Sequence, residues 1–166
     1  MLHRLFALVV CAVCLGPCEL QAAERLDDTA SPRSHIEPLV VMGNDGRPLA
    51  QSMNATAAIV QLGRVEYRLA TARYLDKEAR IYYAVPALIE GLRSPAALRV
   101  EWRGDGVFGN GTARAGERQL VWTGIVREPW MSTVLELAFN VDLNQMQFPR
   151  NGVFGFEPYF EIEVVE

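Results

Sequence analysis

Two histidines, three cysteines and a scatter of carboxylates are the residues in this chain with side chains suited to catalysis or metal binding. Zinc, whether structural or catalytic, takes three or four His or Cys ligands. His3 and the three cysteines lie within the first eighteen residues, which leaves His35 as the one histidine of the rest. A Ser-His-Asp triad needs a rigidly held imidazole to take the serine proton, and His35 sits in a polar stretch without periodicity. Metal, thiol and triad chemistry are therefore set aside, and no cofactor is expected.

The carboxylates remain. Glycoside hydrolysis needs two facing each other, one protonated and one ionised. Glu101, Glu136, Glu157, Glu161 and Glu163 are available, but each falls on the charged parity of an alternating segment. They are read as a solvated sheet face, with Arg64, Arg68, Arg99 and Arg103 as cross-strand partners worth ~0.2–1 kcal/mol each. The glycine-rich stretch Gly104–Gly111 lacks the lysine of a phosphate loop and precedes no helix. Asp105 and Asn110 supply oxygen ligands, but at no calcium-loop spacing. Arg103-Gly104-Asp105 is an RGD tripeptide that any glycine turn can yield. Asn54-Ala55-Thr56 and Asn110-Gly111-Thr112 are glycosylation sequons, meaningful only on a eukaryotic secretory route. The arginine-rich cation set, with Lys77 the single lysine, is attributed to genome composition.

Aromatic residues offer the better binding hypothesis. Trp130 lies in Arg127-Glu128-Pro129-Trp130-Met131, read as a loop between strands. A loop tryptophan either folds back onto the protein or meets a ligand or partner. Tyr82 and Tyr159 join it as candidate ligand- or partner-binding residues, against the plainer reading of strand packing. Trp102 and Trp122 share parity with core residues and are expected inside.

These residues must be positioned by strands. Val65, Tyr67 and Leu69 alternate with Arg64, Glu66 and Arg68; Leu98, Val100 and Trp102 alternate with Arg99, Glu101 and Arg103. Leu135, Leu137, Phe139 and Val141 form a third apolar face, and Phe154, Phe156, Phe160, Ile162 and Val164 a fourth. Leu120, Trp122 and Val126 share a parity in a fifth segment. A period of two with one charged face defines half-buried strands. Weaker strands are read at Leu39–Met42, Ala58–Leu62 and Arg80–Val85. Asp76-Lys77-Glu78 is read as a hairpin connection, Asn44–Pro48 as a turn around Gly46, and Ala87–Leu92 as a helical turn between Pro86 and Pro95. Asp105–Gly109 and Asn151–Gly155 share G-V-F-G after an Asx residue and are read as turns leading into strands.

The fold class expected is all-β: an antiparallel immunoglobulin-like β-sandwich of about seven or eight strands. It follows a secretory signal peptide over 1–23. Met1–Arg4 is a basic start, Leu5–Gly16 an apolar run too short for a hydrocarbon core that takes ~20 residues, and Gln21-Ala22-Ala23 a small-residue end. Cleavage is placed after Ala23 or Ala22. Lipidation at Cys18 is disfavoured by Pro17 beside it. Residues 24–36 are read as a flexible leader and 37–166 as the domain.

The net charge of −4 argues against nucleic-acid and anionic-membrane partners, and no later stretch is apolar enough to span a membrane. Glu37–Leu49, a β run followed by Asn-Asp-Gly and Pro-Leu, resembles the start of some fimbrial subunits, which implies assembly with other envelope proteins. The sequence reading is thus an exported, periplasmic or surface, non-catalytic β-sandwich. It is a structural or adhesin-like subunit pairing with another envelope protein or with itself by strand addition. The alternative is a binding module for a carbohydrate or other small ligand; the remote alternative is a carboxylate-dependent hydrolase.

Overall fold

The structure is a computed structural model and describes residues 22–32, 39–147 and 155–165. The proposed signal segment up to residue 21, His35 and the second G-V-F-G turn at 151–154 lie outside the described residues. The chain is all-β, with two antiparallel sheets and no helix longer than a single 3₁₀ turn among the described residues. One sheet runs β1 (Glu24–Arg25), β9 (Tyr159–Val164), β4 (Glu78–Ala84), β7 (Arg118–Ile125). The other runs β2 (Val40–Gly43), β3 (Ala57–Ala70), β8 (Trp130–Asp142), β5 (Leu98–Asp105), β6 (Gly111–Arg114).

The pairing is nested. β1 pairs with β9, β3 with β8, β4 with β7 and β5 with β6, all antiparallel. The chain is in effect one long hairpin, turning at β5–β6 and rolled up so that its halves fall in two sheets. The pairs β4–β9 and β5–β8 stitch the roll together, and β2 is an added edge on β3.

The expected alternation holds where strands are regular. In β5, Leu98, Val100 and Trp102 are buried while Arg99, Glu101 and Arg103 are exposed. In β3, Val65, Tyr67 and Leu69 face inward. The inward faces meet in one core, centred on Phe160. Tyr67 and Tyr83 contact its ring edge-on at 5.0 and 5.3 Å, and Phe108 lies 5.7 Å away. Such pairs add about 0.5–1.5 kcal/mol beyond their burial.

Several local expectations are corrected. Ala58–Leu62 and Val65–Leu69 are one strand, β3, in which a bulge after Gln61 inserts an extra residue. Gly63, at φ +76°, absorbs it, so an inward parity that is even before the bulge becomes odd after it. The same device overturns the inward assignment of Leu120. Ile81 pairs with Trp122 but Tyr82 pairs with Leu120, so Val121 is the bulged residue. Val121 is buried in its place, and Leu120 faces water. Trp122 packs against the core as expected. Asp76-Lys77 is not a hairpin turn, because β3 and β4 lie in different sheets. The segment crosses between them, held by Asp76–Arg127 (2.8 Å) and by Thr71 Oγ1 donating to the Glu128 carbonyl (2.7 Å). Ala87–Leu92 is a loop rather than a helical turn, with one backbone bond from Leu92 N–H to the Ile89 carbonyl. The Asn44–Pro48 turn is found as read, with Gly46 at φ +77°.

The polar stretch from Glu24 departs most from its reading as a flexible leader. Its described part is folded. Leu26 is buried in the core, and Tyr74 Oη donates to the Glu24 carboxylate at 2.7 Å. Beyond β2, the free edge of β3 takes its partners from this segment. Arg68 N–H donates to Ser31 Oγ (2.9 Å) and Ala70 N–H to the Asp27 carbonyl (2.9 Å). One apolar anchor and three polar contacts do what periodicity would otherwise have announced.

Candidate functional site

The outward faces of the two sheets differ in what they leave open. On the four-stranded sheet the candidate tyrosines are engaged. Arg118 lies over the Tyr82 ring at 4.4 Å and binds Glu161 at 3.0 Å. Tyr82 Oη donates to Glu163 at 3.1 Å, and burial together with that carboxylate raises its pKa above the ordinary value. Arg25 covers Tyr159 at 4.9 Å. These rings lie in a network of internal partners and offer no bare platform.

Trp130 lies on the other sheet, so the structure does not gather the three aromatic residues into one site. It is the first residue of β8 rather than part of a loop. It sits opposite Ala70 with Arg68 stacked on it at 5.1 Å. Even so, 41 % of it is exposed. From Trp130 to Glu136 is roughly 20 Å at the rise of an extended strand, which places it outside the groove described next.

That groove crosses the outer face of the five-stranded sheet and has a volume of ≈ 620 Å³. Register builds it row by row. One row is Gln61, Ala138, Glu101 and Thr112, contributed by β3, β8, β5 and β6. The next is Arg64, Glu136 and Arg103. Ala138 is the short residue in a row of long ones, and Gly63 presents bare backbone beside it, so the face is hollowed. Leu39 closes the β2 side, its Cδ1 lying within 2.6 Å of where a Gly63 side chain would begin. Asn110 and Thr112 close the β6 side. Beneath the floor, Trp102 is buried and its indole N–H donates to the Gly109 carbonyl (3.1 Å). Gly111 is required there, because a Cβ would meet the Trp102 ring at 2.4 Å.

The polar groups of the groove are partly fixed and partly free. Asn140 Nδ2 donates to Glu101 (3.1 Å), and Gly104 N–H donates to Asn110 Oδ1 (2.9 Å). Arg64 pairs with Asp105 rather than with Glu136, its neighbour in register. This also accounts for the RGD tripeptide, which lies within β5 with its aspartate held by Arg64. Glu101 and Glu136 line the groove as diagonal neighbours, at the ~7–8 Å typical of such positions. Both are exposed to water, whereas the general acid of a hydrolytic pair is held in an apolar pocket. No group of three or more His, Cys, Asp or Glu is placed to hold a metal among the described residues.

The chain is thus a two-sheet all-β protein with a polar groove on the face of its five-stranded sheet. No protein-family model, no curated protein sequence and no solved structure matches it. Among the described residues no helix is long and apolar enough to cross a membrane.

Proposed function

We propose that this is an exported, non-catalytic binding module that takes a polar ligand in the groove of its five-stranded sheet. The observation that carries this reading is the hollow itself. A regular charged sheet face is flat, and here Ala138 and Gly63 open a volume of ≈ 620 Å³ between Gln61, Glu101, Arg103 and Glu136. Ligand sites are concave with a few placed polar groups. Export to the periplasm or cell surface rests on the layout of residues 1–23. The finer fold class we infer is a jelly roll in place of the immunoglobulin-like sandwich expected from sequence. In the latter the last strand pairs with its sequence neighbour in the sheet, whereas here β9 lies between β1 and β4.

Assembly by strand addition is the second reading, and β2 favours it. Val40-Val41-Met42-Gly43 is an edge strand without charge, and Leu39 and Val40 are 72 % and 40 % exposed. Its outer side is guarded at one end only, where Pro48 bridges Met42 and Gly43 N–H donates to the Arg47 carbonyl, and Val40 and Val41 are left open. Against a donated-strand scheme, β9 comes from the same chain, and its Phe160 and Ile162 fill the core.

NMR shift mapping of the purified protein against neutral and acidic oligosaccharides tests the first reading. Saturable shifts at Gln61, Glu101, Asn110 and Thr112 are the expected result. No shift at millimolar ligand, with concentration-dependent broadening along β2, would overturn it in favour of assembly.

A further inference from the structure

At one end of the groove the register does something that sheet stability alone disfavours. Arg99 of β5 stands directly opposite Arg114 of β6. Val100 and Ala113, the next pair, are both buried, so both arginines point outward from the same face. Cross-strand Cβ atoms are about 5 Å apart, and like charges there are destabilising. Neither arginine has a carboxylate within ion-pair distance among the described residues, whereas Arg64, Arg73, Arg118 and Arg127 each do. The carboxylates about the pair are otherwise occupied: Glu117 accepts from the Arg114 backbone N–H (2.8 Å) in the turn after β6. Glu101 accepts from Asn140, and Asp142 caps its own turn by accepting from Asn144 N–H (2.9 Å). An abundance of arginine over lysine does not by itself place two arginines face to face. Arg99 lines the groove, and Arg114 lines the shallower depression that continues from it past Asn140.

We propose that Arg99 and Arg114 form an anion clamp at the end of the groove, and that the ligand is an acidic saccharide whose carboxylate they bind; this rests on the groove being a ligand site. Paired guanidinium groups offer planar donor forks that match a carboxylate. The remainder of the groove suits hydroxyl groups: Gln61, Asn110 and Thr112 donate and accept, and Glu101, oriented by Asn140, accepts. A ligand of uniformly high charge density, such as a nucleic acid, is opposed by Glu101 and Glu136 on the floor and by the net charge of −4. A saccharide with a carboxylate spaced by hydroxyl-bearing rings meets the charge at one end and the hydroxyl partners along the rest.

The test is isothermal titration of the purified protein with trigalacturonate, with the neutral galactose trisaccharide and with inorganic phosphate, at matched ionic strength. Trigalacturonate is expected to bind at least tenfold more tightly than either. The double variant Arg99→Gln/Arg114→Gln is expected to abolish that preference, while Arg80→Gln on the other sheet leaves it intact. Removing a like-charge pair does not threaten folding, and an unchanged circular dichroism spectrum confirms it. Equal binding of the acidic and neutral trisaccharides, insensitive to the double variant, would overturn the clamp and leave the groove as a neutral-sugar site. Phosphate binding as tightly as trigalacturonate would reduce it to a simple anion site. No binding by any of the three would overturn the clamp and the groove reading together.

Discussion

Tyr83 and Thr133 each carry a buried hydroxyl without a hydrogen-bond partner among the described residues. Tyr83 is fully buried. The nearby Tyr67 hydroxyl raises its pKa further, above what burial alone does. A buried polar atom without a partner costs about 1–3 kcal/mol in desolvation. Tyr83→Phe keeps the ring contacts to Trp102 (4.6 Å) and Phe160 and removes only that atom. It is expected to leave stability unchanged or raise it by up to about 1 kcal/mol, read from urea denaturation. Tyr74 is the contrasting case, since its hydroxyl donates to Glu24. Tyr74→Phe is expected to lower stability by about 1 kcal/mol, the usual net worth of such a bond. The same chemical change with opposite signs at two buried tyrosines separates the hydroxyl's role from the ring's.

Among elements, the regular strands were legible in the sequence and the irregular ones were not. Charge–apolar alternation in β3, β5 and β8 is enforced by a core on one side and water on the other, so a period of two survives in the residue types. A bulge breaks that period without leaving a signature. Val121 is as apolar as Leu120, and nothing in Leu120-Val121-Trp122 says which one is doubled. The groove follows the same logic. Arg99, Arg103, Glu101 and Glu136 were each identifiable as outward residues, but which of them face one another depends on register. Between β5 and β8 that register is regular, while the placing of Gln61 and Arg64 against β8 depends on the bulge beside Gly63. The N-terminal segment was illegible for a different reason: its described part carries a single large apolar residue, Leu26, which cannot form a pattern. Leu26 is nevertheless 3 % exposed, and it holds the segment that supplies Asp27 and Ser31 to the free edge of β3. Leu26→Ala is expected to cost about 2–3 kcal/mol, as for other buried leucines. It should also speed amide exchange at Arg68 and Ala70, whose partners lie in that segment. Destabilisation without faster exchange at those two amides would show that Leu26 fills the core but does not fasten the edge.

At the scale of the molecule, the nested pairing brings the first described strand against the last, and the crossing from β3 to β4 carries three tyrosines from one sheet to the other around one core. Four of the five tyrosines are shifted in the same direction. Burial raises Tyr67 and Tyr74 to about 12 each, moves Tyr83 well above its ordinary value, and raises Tyr82. A tyrosine whose pKa is higher in the folded state holds its proton more tightly there than in the unfolded chain. Its contribution to stability is complete below the unfolded value near 10 and is lost as pH rises through the folded value near 12. These groups act together, because the rings of Tyr67 and Tyr83 meet at 6.4 Å and both touch Phe160. Ionising one in place would leave a charge inside the core, so each ionisation favours the unfolded chain, where the phenolate is hydrated. The protein is therefore expected to keep its full denaturation midpoint up to about pH 10 and to lose it cooperatively between about pH 10 and 12. The tyrosinate absorbance of the core residues should rise in the same narrow step as the loss of β-sheet circular dichroism. Tyrosinate forming gradually, with the sheet signal intact, would mean that water reaches these hydroxyls in the folded state and that the roll is open at the end where Tyr67 and Tyr83 meet.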